Sequence, residues 1–123
     1  MSITAASPLV PNWYKPKSSG PEDTARFRVR GLSTTELLDV TASAITSEDE
    51  DGNPRLRYGS ASMCVAIGAG LVGWEGFNTA DGMPSEFPQN AKQKVNTLGP
   101  VLAPEIFWEI LGASSLVEEQ RKN

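Results

Sequence analysis

Between residues 25 and 30 the chain alternates with a period of two, placing Arg26, Arg28 and Arg30 on one face and Phe27 and Val29 on the other. That period predicts a half-buried strand. Upstream, residues 12–16 form a short aromatic stretch. The intervening Ser18-Ser19-Gly20-Pro21-Glu22-Asp23 is dense in turn residues. Two short strands joined by this turn predict a β-hairpin or small ribbon. It needs helices to pack on, because an isolated hairpin is marginal in water. Residues 1–11 show no period and are expected to form a flexible arm.

Helical spacing takes over downstream. Ser33-Thr34-Thr35-Glu36 is a capping-box pattern, and Leu37, Leu38, Val40, Ala44 and Ile45 then predict an amphipathic helix to about residue 46. Residues 47–54 read as a solvated acidic loop closed by breakers. A second helix is expected from about Arg57 to Val72. Its small, apolar content marks it as the central, most buried helix, with a strand over residues 64–67 left open because periodicity is weak there. The apolar run ends in Gly73-Trp74-Glu75-Gly76, read as a turn in which a core Trp closes the buried element and the flanking glycines let the indole lie against backbone. A Gly/Asp/Pro loop at 78–85 follows. A third helix, beginning at Pro88 or Gln89, should stop at Gly99-Pro100, and a fourth should run from about Pro104 to Gln120. Its stripe is Ile106, Phe107, Ile110 and Leu111, continued by Leu116 and Val117, with Arg121-Lys122 at its C-terminal end, as the helix dipole favours. The expected fold is α+β and mainly α: an N-terminal β-hairpin or small ribbon packed on a bundle of about four helices, one domain over residues 12–123.

Composition narrows what this fold can do. At 123 residues the chain is long enough to bury a core without staples. Its net charge of −4 disfavours binding to nucleic acid or to an anionic membrane surface. The longest apolar run is about a dozen residues, broken by Gly68 and Gly70, too short to span a bilayer. Residues 1–20 lack a basic start followed by an apolar core, so no secretory leader is expected. Cys64 stands alone and is expected to be an inert buried thiol in a reducing cytoplasm. The chain has no histidine, the commonest general base and zinc ligand. No catalytic, cofactor or metal residues are assigned. Asp49, Asp51 and Asn53 open like a calcium loop, but Pro54 stands where the turn glycine belongs and Ser60 where the bidentate Glu belongs. By exclusion the composition favours a binding or scaffolding protein over an enzyme; a small enzyme would have to work with Arg28, Glu75 and Asp81.

Taken in order, Trp13-Tyr14-Lys15-Pro16-Lys17, Arg26-Phe27-Arg28-Val29-Arg30-Gly31-Leu32, Leu71-Val72-Gly73-Trp74-Glu75-Gly76-Phe77 and the Lys122-Asn123 ending resemble the tail assembly chaperones of long-tailed bacteriophages and prophages. The resemblance covers roughly residues 12–123, and Gly73-Trp74-Glu75-Gly76 is its structural signature; the loop at 48–54 has no counterpart. It implies a non-enzymatic protein of the host cytoplasm that coats the helical tape measure protein, helps recruit tail tube protein and is absent from the finished virion. Coating a rod also implies self-association. A head–tail connector or tail completion protein is the alternative. Recognising a helical rod requires an exposed apolar groove or face. The partner-binding candidates are Trp13, Tyr14, Phe107, Trp108 and Leu111. Trp108 falls off the apolar stripe of its helix, so it either remains partly exposed or packs against the ribbon.

Overall fold

Phe27 and Val29 turn inward as the alternation requires, both buried, while Arg28 is exposed. They belong to β2 (Arg26–Val29), which pairs antiparallel with β1 (Asn12–Tyr14), so the expected ribbon forms. The computed structural model describes residues 10–20 and 22–122, with the side chains of these apart from Leu56 and 115–122. Most of the expected arm at 1–11, the stripe residues Leu116 and Val117, and the Arg121-Lys122 side chains with Asn123 lie outside that description.

The ribbon gains a third strand that the sequence concealed. Residues after the central helix do not turn but extend as β5 (Leu71–Glu75), pairing antiparallel with β2 in the order β1-β2-β5. Phe27 faces Trp74 and Arg28 faces Gly73, but Val29 faces Leu71, so Val72 is an extra residue in a β-bulge. A bulge sets two residues against one and restores register beyond it. Leu71 and Val29 thereby share the buried face on one side of it, and Phe27 and Trp74 share it on the other. Gly76 ends the strand with a φ of 64°; a Cβ there would stand 2.6 Å from the Thr24 carbonyl oxygen, so the site requires glycine.

Helix α1 (Thr34–Ala42) opens with the capping box in full. Ser33 Oγ accepts from the Glu36 amide at 3.3 Å, and the Glu36 carboxylate accepts from the Ser33 amide at 2.9 Å. The same carboxylate takes a two-pronged ion pair from Arg30, at 2.9 and 2.8 Å, which ties the end of β2 to the start of α1. That pairing holds the Glu36 carboxyl down to about 2. The helix stops at Ala42, short of the expected end near 46. Thr41 and Ser43 hydroxyls bond back to the Leu37 and Asp39 carbonyls, the competition by which such residues weaken a helix.

The expected loop at 47–54 is instead part of a hairpin, β3 (Ile45–Glu48) with β4 (Pro54–Arg57). Asp49 Oδ1 accepts from the amides of Asp51 (2.9 Å) and Asn53 (2.8 Å), so its carboxylate organises the turn. Only then does α2 (Ser60–Gly70) begin. It is the central helix expected: Ala66 and Ile67 are fully buried between α1 and α3, and Gly70 lies so close to Ile110 that a Cβ would sit 2.6 Å from a methyl group. Cys64 is half-buried rather than enclosed.

The four-helix bundle does not form. Among the described residues there are three helical elements, the expected third and fourth joining without a loop as the two arms of α3 (Ala91–Lys122) at Gly99, whose backbone (φ 83°) is not helical. Asn90 caps the helix, its Oδ1 accepting from the Lys92 and Gln93 amides. Pro100, rather than Pro104, takes the first-turn position after the kink, so the break needs one residue instead of a loop. Buried Lys94 bridges α3 and the end of α2, donating from Nζ to the Gly68 (3.1 Å) and Leu71 (3.0 Å) carbonyls while lying 4.8 Å from the Phe87 ring centre. Burial pushes its amine below the ordinary lysine value. Among the described residues no helix is long and apolar enough to cross a membrane.

Candidate interaction site

The last helix presents its apolar stripe to the core as the spacing requires. Ile106, Phe107 and Ile110 are buried and Leu111 is half-buried against them. Phe107, expected as a partner contact, is therefore a core residue and offers nothing to a partner. Trp108 points elsewhere and is 57% exposed. It does not pack on the ribbon. Its indole meets the Tyr58 ring edge-on at 5.8 Å between centres and the Phe107 ring at 5.2 Å. Tyr58 was not among the expected contacts, nor was Ile45, which is exposed and reaches over Gly59 beside it. An isolated Tyr between Arg57 and Gly59 carries no period, so only the fold could bring it to Trp108.

Trp13 and Tyr14, adjacent in β1, point to opposite faces as strand geometry dictates. Tyr14 lies inward and half-buried, and its hydroxyl donates to Glu105 at 2.7 Å. Glu105 also accepts from the Lys17 and Ser18 amides, anchoring the 15–19 segment to α3. Burial and then the Glu105 carboxylate push the Tyr14 phenol up to about 12. For Glu105 itself, burial acts upward, but the hydrogen bonds it accepts outweigh that and hold its carboxyl below the usual range. Trp13 lies outward and is 51% exposed. The five expected contacts thus divide: Trp13 and Trp108 are exposed on separate faces, Tyr14 and Leu111 are half-buried, and Phe107 is enclosed.

Trp74, read as a core plug wedged between glycines, sits at the core's edge and is half-buried. Its indole N–H donates to the Ser85 carbonyl at 2.9 Å, and its ring meets Phe27, Phe77 and Phe87 edge-on at 4.9–6.1 Å. The flanking glycines serve other contacts, since Gly73 faces Arg28 on the opposite side of the sheet. Glu75 is exposed at the strand end.

A half-open cleft of about 420 Å³ lies between the 16–25 segment and the start of the second arm of α3, lined by Ser18, Asp23, Phe77, Val101 and Leu102 among others. Arg28, Glu75 and Asp81 do not line it: the first two stand on the outer sheet face and Asp81 in the exposed 78–84 turn. Among the described residues no three acidic or Cys side chains group closely enough to hold a metal ion. No family model, curated protein or solved structure matches the chain.

Proposed function

We propose that the chain is a tail assembly chaperone of a long-tailed bacteriophage or prophage. In this reading several self-associating copies bind the tape measure protein in the host cytoplasm, keep that helical rod from aggregating, help recruit tail tube protein, and leave before the virion is complete. The chain works by non-covalent binding and carries out no chemistry. The ordered motifs from Trp13 to Phe77 support the reading. The observation that carries it is Trp108, more than half exposed on the longest helix and set against Tyr58. An exposed indole beside Tyr58, with exposed Ile45 next to that ring, offers an apolar surface that suits a helix-binding protein.

Co-expression with the tape measure protein tests the proposal. The tape measure protein should stay soluble and co-purify with this chain; aggregation with no complex in a pull-down overturns the reading. Mass spectrometry of purified virions should find the chain missing, whereas its presence in stoichiometric amount favours a head–tail connector.

A further inference from the structure

Among the described residues no element covers the outer face of the three-stranded sheet, which bears an unusual set of side chains for a solvated surface. Reading across the strands, Trp13 lies opposite Arg28 and Arg28 opposite Gly73. The bulge places Val72 beside Gly73, where it is exposed instead of buried. Arg28 therefore stands between two exposed apolar groups, with one flank left open by a residue that has no side chain. Trp and Arg are the residues that most often dominate binding energy at protein interfaces. Arg28 has no ion-pair partner among the described residues, where Arg30–Glu36 is the pair formed. Arg26 turns its guanidinium to the Asp23 and Ala25 carbonyls, and exposed Lys15 follows β1. Glu75 stands on the same face opposite Arg26 and forms no ion pair with either arginine, so with Arg26, Arg28 and Lys15 against one acid the face keeps a cationic surplus in a chain of net −4.

We propose that this face binds an acidic amphipathic helix of a partner protein, with Trp13 and Val72 as apolar anchors and Arg28 as the charge that selects it. Charge complementarity sets the sign of the partner, and spacing sets its shape. The anchors lie on strands two apart, so they are separated by about two inter-strand steps, roughly 10 Å. A helix laid across the strands places residues i and i+7 about 10 Å apart on one side, with i+3 and i+4 between them. Apolar side chains at the ends and a carboxylate in the middle then meet Trp13, Val72 and Arg28 together. An extended strand fails this test, because its side chains alternate and same-face residues recur at about 6.6 or 13 Å. The inference is separate from the tape-measure reading and rests on a different face from Trp108.

A designed helical peptide with Leu at i and i+7 and Glu at i+3 and i+4 is the probe, with a Lys-for-Glu version as its control. In fluorescence anisotropy the Glu peptide should bind the full chain at least tenfold more tightly than the Lys peptide. Arg28→Glu should reverse that preference, Trp13→Ser and Val72→Ser should each weaken binding several-fold, and Trp108→Ser should leave it unchanged. All four substituted positions are exposed, and circular dichroism checks that each variant is folded. Equal binding of the two peptides, or indifference to Arg28→Glu, overturns the proposal. So does preferential binding of a single-stranded oligonucleotide in the same assay. Sedimentation of the chain alone, if it shows self-association that Arg28→Glu abolishes, assigns the face to a second copy and overturns it too.

Discussion

The molecule contains two small antiparallel sheets of similar strand length and opposite character. In β1-β2-β5 one face is sealed against helices, and Phe27, Val29 and Leu71 are buried in it. In β3-β4 no described side chain is buried; Ile45 is 60% exposed, and neither strand packs extensively on anything beyond the other. The first sheet is held by long-range burial and the second by its own turn. A two-stranded hairpin without a covered face is marginal, so β3-β4 should open far below the global unfolding free energy while β1-β2-β5 opens only with the whole domain.

The largest effect should come from Phe27→Ala, which empties the centre of the sealed sheet. We expect a loss of about 3–5 kcal/mol in denaturant unfolding; a loss under about 1 kcal/mol would erase the contrast. Gly76→Ala should cost about 2 kcal/mol, from the left-handed backbone and the collision with the Thr24 carbonyl, with β1-β2-β5 amides losing protection along with the core. Acid should act on the sealed side through Glu36. Its carboxyl is held at about 2, below its unfolded value, so its contribution is present above that unfolded value and is lost as pH falls through the folded one. After discounting for partial exposure, about 1–2 kcal/mol should disappear between roughly pH 4.5 and 2, and Glu36→Gln should flatten that slope. Smallest, Asp49→Ala removes the acceptor of two turn amides. It should speed hydrogen exchange across residues 45–57 yet change global stability by less than about 1 kcal/mol. Concerted global destabilisation by Asp49→Ala would show that the second sheet is part of the core after all.

The same contrast explains what was legible in the sequence. Alternation at 26–29 and the stripe from Ile106 to Ile110 could be read because each has one buried face, and burial is what writes a period into a chain. The capping box at Ser33 could be read because its geometry is local. The β3-β4 hairpin could not: with none of its described side chains buried, no period is written into it, and Ile45 continues the α1 stripe by coincidence of spacing. β5 was hidden for a different reason. It follows α2 with no loop between them, and its bulge breaks the alternation that would have announced a strand. The break at Gly99 and the resumption after it were both legible; what was not is that the second arm starts at once at Pro100 instead of after a loop to Pro104. At the candidate site, Trp108 was recognisable from falling off its stripe, whereas Tyr58 became its neighbour only through folding.

The bulge at Val72 carries a last consequence. β5 holds one residue more than its partner strand needs: Leu71 and Trp74 stand three apart, which a regular strand would put on opposite faces, and the bulge returns both to the inner one. Remove Val72 and the two become second neighbours with Gly73 still facing Arg28, so a regular ladder keeps Leu71 beside Val29 and Trp74 beside Phe27. The register of the sheet therefore does not depend on this residue. What the surplus residue adds is display: an exposed side chain beside Gly73, where a regular strand would offer only the glycine.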